Sequence, residues 1–258
     1  ELIASAKTGK KMGSLFWVLD KTHTAMGGRL LKQWLARPLL SIEEIEKRQE
    51  MTQALFDGYF TRENVIDALK GVYDLERLTG RIAFGNVNAR ELLQLSRSLD
   101  AVPVILEALK QHDSEALNNF ADQIDPLKGV AYLISTTIVK DPPILTTEGG
   151  LIQEGGDAQL DRYRDAMNNG KKWLAQMEVD ERQKTGIDNL KVGYNKVFGY
   201  YIQVSNGNKS KVPLDRYTRK QTLTNAERYI TPELKEHENL IMEAQTRSTD
   251  LEYDLFVK

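Results

Sequence analysis

The chain has 258 residues, 41% apolar and 28% charged, with no cysteine and a formal net charge of −2. That excludes disulfides, thiolate metal ligands and a thiol nucleophile, and it describes an ordinary soluble chain long enough to bury a sizeable core. No apolar run approaches the roughly 20 residues of a membrane span, the first residues lack the basic, apolar and small order of a signal peptide, and the start at Glu1 rather than Met suggests a piece of a longer protein.

A compact β segment is expected around Leu15 to Leu19. A helix from about Ala25 carries Leu30, Leu31, Trp34 and Leu35 at helical spacing and ends near Arg37, before Pro38. Ser41-Ile42-Glu43-Glu44 reads as a capping box, the Ser hydroxyl accepting from the Glu44 amide and the Glu44 carboxylate reaching back. The next helix therefore starts at Ile42, presents Ile45, Thr52, Leu55 and Phe56, and stops at Gly58. Further short amphipathic helices are expected near 61–70, 74–80, 89–100, 102–111 and 127–139, which makes a bundle.

"VKDPPILTTEGGLIQEGG" has two prolines and four glycines and excludes helix. Ile144-Leu145 and Leu151-Ile152, around a Glu-Gly-Gly turn, read as a hairpin. A long helix then begins at Asp157. Leu160, Tyr163, Met167, Lys171, Leu174 and Met177 form its stripe, and Thr185-Gly186 ends it. At 1.5 Å per residue it is roughly 40 Å long. At the far end Thr231 caps and Pro232 opens a second long helix. Its residues Leu234, His237, Ile241, Ala244, Ser248, Leu251 and Leu255 step by three and four, like a coiled-coil seam. Two such helices flanking an insert run antiparallel and carry it at the tip of an arm.

The insert is built differently. Val192 and Tyr194 share one face of a strand, and Tyr200, Ile202 and Val204 one face of a second. "NKVFG" is the turn between them, and Asn206-Gly207 is a strong turn signal. From Asn189 to Tyr229 eight basic residues face two acids, a net of +6, which leaves −8 for the rest of the chain. A basic island on an acidic body is the pattern of a local polyanion contact, with a solvated basic loop cluster as the plain alternative. Arg219, Lys220, Gln221, Thr222, Thr224 and Asn225, with Lys196 in the first turn, are donors of the kind that hold phosphate. Tyr194, Phe198, Tyr200 and Tyr201 read as the core of a minimal sheet rather than as base-stacking platforms.

"LKVGYNKVFGYYIQVS" and "RKQTLTNAERYITPELKEHE" resemble the signature of the MutS family of DNA mismatch-repair proteins, and residues 14 to 50 resemble the start of that family's core domain. The resemblance extends over essentially the whole chain and is nearest to a Gram-positive bacterial branch. It implies a mainly α fold: a helical core with long antiparallel lever helices in 1–171 and 232–258, and a small β-rich clamp inserted at 172–231. It implies double-stranded DNA as a partner, touched on its backbone without sequence reading, a second protomer, mismatch-repair partner proteins, and a cytoplasmic, nucleoid-associated location. The backbone contacts carried over are Thr224 and Asn225 first, then Lys196, Arg219, Lys220, Gln221 and Thr222. Some members have Lys where Thr224 stands, so one contact is weaker here.

The chain also departs from the family. The Phe-x-Glu mismatch reader and its N-terminal domain are absent, and no G-x-x-x-x-G-K-[ST] phosphate loop occurs. The resemblance therefore implies a non-enzymatic piece without a cofactor, ATP and Mg²⁺ belonging to the full-length relatives. His23, His112 and His237 lack metal-type spacing. Asp20, Asp74 and Asp141 read as caps, "EGGLIQEGG" has acids where a phosphate cradle needs a Lys, and Trp17, Trp34 and Trp173 read as packing. The alternative reading is a mechanical, protein-binding helical module whose basic tip meets an acidic protein.

Overall fold

The computed structural model describes all 258 residues, which form ten α-helices and one four-stranded antiparallel sheet. The architecture is mainly α with a small inserted β part, as the sequence implies. It divides into two compact units, Glu1–Leu145 and Thr146–Lys258.

In the first unit the segment expected as β is instead helix α1, Leu15–Leu19. A five-residue apolar run has no period that separates strand from helix. The cap decides it, with Ser14 Oγ accepting the Trp17 N–H at 3.2 Å. Helices α2 (Ala25–Ala36) and α3 (Ile42–Asp57) start where expected, on Thr24 and Ser41. The Ser41 cap receives the Glu44 N–H at 3.5 Å. The complete capping box lies elsewhere, between Asn88 and Glu91.

Helices α4 (Tyr59–Leu69) and α5 (Leu75–Ala83) follow. The two helices expected at 89–100 and 102–111 are a single α6, Ala89–Lys110, with Pro103 inside it. Proline in a helix costs about 3 kcal/mol. Leu95 and Leu99 before it and Ala108 and Leu109 after it are all buried, and their packing holds the helix through the break. A short α7, Glu115–Asp122, was not expected, and α8 is Lys128–Thr137. Ala54, Leu109, Leu117 and Ala121 close a core between α3, α6 and α7. Arg29 clasps α2 to α5 through Asp74 and Glu76.

The second unit is a helix pair with a sheet packed on one end. The expected hairpin at 144–152 does not form. Ile144 and Leu145 are exposed and in no strand, whereas Leu151 and Ile152 are buried. Side chains from the two long helices bond part of the backbone there. Glu252 takes the Leu151 N–H at 2.9 Å, and Arg164 Nη2 donates to Ile152 O at 2.6 Å.

Helices α9 (Ala158–Thr185) and α10 (Pro232–Val257) pack antiparallel. Arg164 bonds Glu252 near one end, and Gly170 lies against Ile241 further along. The buried line of α10 is Leu234, Glu238, Ile241, Ala244, Ser248 and Glu252, so two glutamates occupy positions that the apolar pattern left unread. His237 lies beside that line and stacks on Trp173, ring centroids 3.4 Å apart.

The sheet consists of β1 (Lys191–Asn195), β2 (Gly199–Ser205), β3 (Thr218–Thr222) and β4 (Ala226–Ile230), in the order β1-β2-β4-β3. Ile202, Val204 and Tyr229 point to one side, where they meet Leu174 and Met177 of α9 and Leu234 and Ile241 of α10. The insert is thus seated on the last turns of the helix pair and shares its core. Asn206-Gly207 is not a two-residue hairpin turn. It opens a 3₁₀ turn, Asn206–Lys211, because β2 pairs with β4 and the chain must cross to the far edge before β3.

Candidate nucleic-acid interface

Three carboxylates of α9 and α10 hold the sheet. Glu178 accepts the Val192 N–H at 2.7 Å and is bonded by Arg182, which also donates to Leu190 O. Glu238 accepts the Tyr200 N–H at 2.7 Å and pairs with Lys235. Its carboxylate lies against Gly199, at φ 79°, where no side chain fits. Glu181, 2% exposed, receives Tyr217 Oη at 2.5 Å, Arg216 Nη2 at 2.7 Å and Lys184 Nζ at 3.2 Å. Buried anions with this many donors fix geometry.

The face of the sheet turned away from the helices is a polar row. Lys191, Gln203, Arg228 and Gln221 lie in register across four strands. Arg228 donates to Gln203 Oε1 at 3.1 Å and Gln221 Oε1 at 2.9 Å, and its guanidinium lies 4.1 Å from the Tyr201 ring centroid. Tyr201 thus packs over its own sheet and over Arg228.

The strand directions place the sequence-predicted residues. Thr222, Thr224 and Asn225 lie at the β3–β4 turn, Lys220 at a bulge in β3, and Arg219 and Gln221 on either side of it. The same end of the sheet carries the 206–211 turn, where Asn206 bonds Thr224 O and Asn225 O. Lys196 is not with them. It lies in the β1–β2 turn at the opposite end, about 20 Å away by the length of β2, on the side of Glu238. Lys209 and Lys211 do lie near the β3–β4 turn. They belong to the basic island, but their 3₁₀ turn is legible in the sequence only as a turn at Asn206-Gly207.

The charges are partly spoken for. Arg216 serves Glu181, and Lys209 pairs with Glu227 at 2.8 Å, with Arg219 at 3.6 Å from the same carboxylate. The Lys209 ammonium, then the Tyr229 hydroxyl, hold Glu227 below the usual glutamate range. Lys191, Lys196, Lys211 and Lys220 have no carboxylate partner, Lys211 donating to Gly186 O at 3.2 Å, and the side chains of Thr224 and Asn225 make no hydrogen bond within the protein. The arrangement offers exposed donors on a turn and bulge beside uncompensated ammonium groups, a set of groups able to hold an anion. No helix is long and apolar enough to cross a membrane.

Comparison with known proteins identifies relatives along the full chain. It is 88% identical over 258 residues to the DNA mismatch repair protein MutS of Lactobacillus acidophilus and 86% identical to that of Lactobacillus helveticus. It is 54% identical to that of Oceanobacillus iheyensis. In each case the whole chain is matched, and it spans about 30% of the relative's length. A family model described as MutS domain III matches residues 1–257, and the chain belongs to that family.

Proposed function

We propose that this chain is the lever-and-clamp part of a DNA mismatch-repair protein and that its sheet holds the backbone of duplex DNA without reading sequence. Residues 172–231 act as the clamp, and 1–171 with 232–258 as core and lever. The observation that carries this reading is the β3–β4 end of the sheet, where unpaired donors of Thr224 and Asn225 sit beside Lys220 on a segment of net charge +6.

Arg219, Lys220, Gln221 and Thr222 extend the contact along β3. Gln221 gives its carbonyl to Arg228 and keeps its amide hydrogens for a phosphate. Lys196 would reach a different phosphate. The levers transmit the grip to an ATPase carried outside these 258 residues. No phosphate loop occurs in this chain, so no step of nucleotide chemistry is assigned to it. A second protomer bringing its own clamp to the same duplex would raise the grip by effective concentration.

Fluorescence anisotropy with a labelled homoduplex and a mismatched duplex tests the reading. Equal, salt-sensitive binding of both is expected, weakened several-fold by the pair Arg219→Ala and Lys220→Ala with little change in melting temperature. Duplex binding that the pair leaves untouched, or none by the parent chain at low salt, would instead favour a purely mechanical, protein-binding module.

A further inference from the structure

A turn that meets phosphate must hide its carbonyls as well as show its donors. Every exposed peptide oxygen carries lone pairs that repel an anion. At the β3–β4 turn two consecutive carbonyls, those of Thr224 and Asn225, face that problem. Both are taken by one residue: the Asn206 N–H donates to Asn225 O at 3.1 Å, and its Nδ2 donates to Thr224 O at 2.9 Å. The N–H groups of Thr224 and Asn225, and their side chains, have no partner within the protein.

We propose that Asn206 is a positioning residue for the backbone contact, holding the two backbone acceptors of the 224–225 turn inward so that its free N–H groups can meet a phosphodiester. The inference rests on the reading of the sheet as a DNA clamp, and it assigns a role to a residue that reading does not use. Asn206 reaches its place because Ser205 pairs with Ala226, which sets the residue after β2 opposite the residue before β4. The strand end is braced from behind. Asn208 Nδ2 donates to Asn189 Oδ1 at 3.0 Å, and Asn189 Nδ2 donates to Ser205 Oγ at 3.1 Å. The turn is therefore held from β2 and not only by its own hairpin.

The donors concerned are uncharged, which gives the proposal a distinctive signature. Losing them should weaken binding without changing the number of counterions released. The experiment is anisotropy of a labelled duplex of about 30 base pairs with the 258-residue chain over a range of salt. Asn206→Ala is expected to lower affinity about three- to tenfold, with the slope of log affinity against log salt unchanged and the melting temperature within about 2 °C of the parent. Asn206→Asp, which keeps the shape, loses the Nδ2 donor and adds a negative charge, should bind no better than the alanine variant. In a background of Thr224→Ala with Asn225→Ala, Asn206→Ala should cost less than it does alone, because the three act through one turn.

Affinity unchanged within about twofold in both Asn206 variants would overturn the proposal while leaving the clamp reading intact, and so would a full, additive loss in the double background. Absence of duplex binding by the parent chain would remove both.

Discussion

Glu181 is where helix α9 and the sheet are joined most tightly. Burial alone would raise its carboxyl, but hydrogen bonds from Tyr217, Arg216 and Lys184 outweigh that and hold it below the usual glutamate range. Tyr217 is pushed the other way, first by its own burial and then by its bond to the carboxylate. A carboxyl whose folded value lies below its unfolded value contributes stability that is complete above the unfolded value, here 4.5, and is lost as pH falls through the lower folded one. Glu181→Gln should therefore destabilise at neutral pH and matter progressively less in acid. At pH 7 the cost is about 2 kcal/mol. That is less than the roughly 3–5 kcal/mol of a sealed pair, because the Arg216 side chain is 42% exposed and can turn to water. Urea denaturation at several pH values between 7 and 3 measures this, and a gap that stayed constant down to the lowest pH would show that Glu181 is not the titrating anchor.

The long helices illustrate what an element's pattern reveals and what it leaves out. Their existence, antiparallel packing, the start at Asp157 and the cap at Thr231 were all legible, because polar caps and three-four spacing are local signals. The buried Glu181, Glu238 and Glu252 were not, since an acid on an apolar line gives no sign of the donors that another segment will bring. The same holds for Pro103, where tertiary packing overrides a local breaker, and for 144–152, where side chains from distant positions claim the backbone. Among the interface candidates, chemistry was readable residue by residue, while the separation of Lys196 from Thr224 needed the strand order. Gly170 shows how packing reverses a propensity. Glycine within a helix costs about 1 kcal/mol relative to alanine, yet a Cβ here would overlap Cγ1 and Cδ1 of Ile241, itself buried. Gly170→Ala is expected to destabilise by about 1–3 kcal/mol, and adding Ile241→Val should recover less than half of that, since Cγ1 remains. Thermal unfolding of the two variants decides it, and a stabilised Gly170→Ala would mean the helices part more readily than their packing implies.

At the scale of the whole molecule the net charge of −2 is misleading, because +6 of it is concentrated in residues 189–229 and offset by −8 elsewhere. Folding narrows that island further. Arg216 is neutralised by Glu181, Lys209 by Glu227, and Arg228 is held among glutamines and a tyrosine ring. The uncompensated charges left near the β3–β4 turn are Lys220 in β3 and Lys211, whose ammonium donates to the Gly186 carbonyl at 3.2 Å, with Arg219 loosely held at 3.6 Å from Glu227. If three to four phosphates are engaged, the slope of log affinity against log salt is about −3, and Lys220→Ala should make it shallower by about 0.9. Lys196→Ala tests whether one grip spans the sheet. Some 20 Å from the turn, it should change the slope only if the duplex lies along the strands. Glu227→Gln acts in the opposite sense, since it releases Lys209 and Arg219 from their shared carboxylate and removes a negative charge from the same end of the sheet. It should tighten duplex binding and steepen the slope. A Glu227→Gln variant that bound more weakly at unchanged melting temperature would mean that Glu227 orders those two cations for the backbone rather than competing with it.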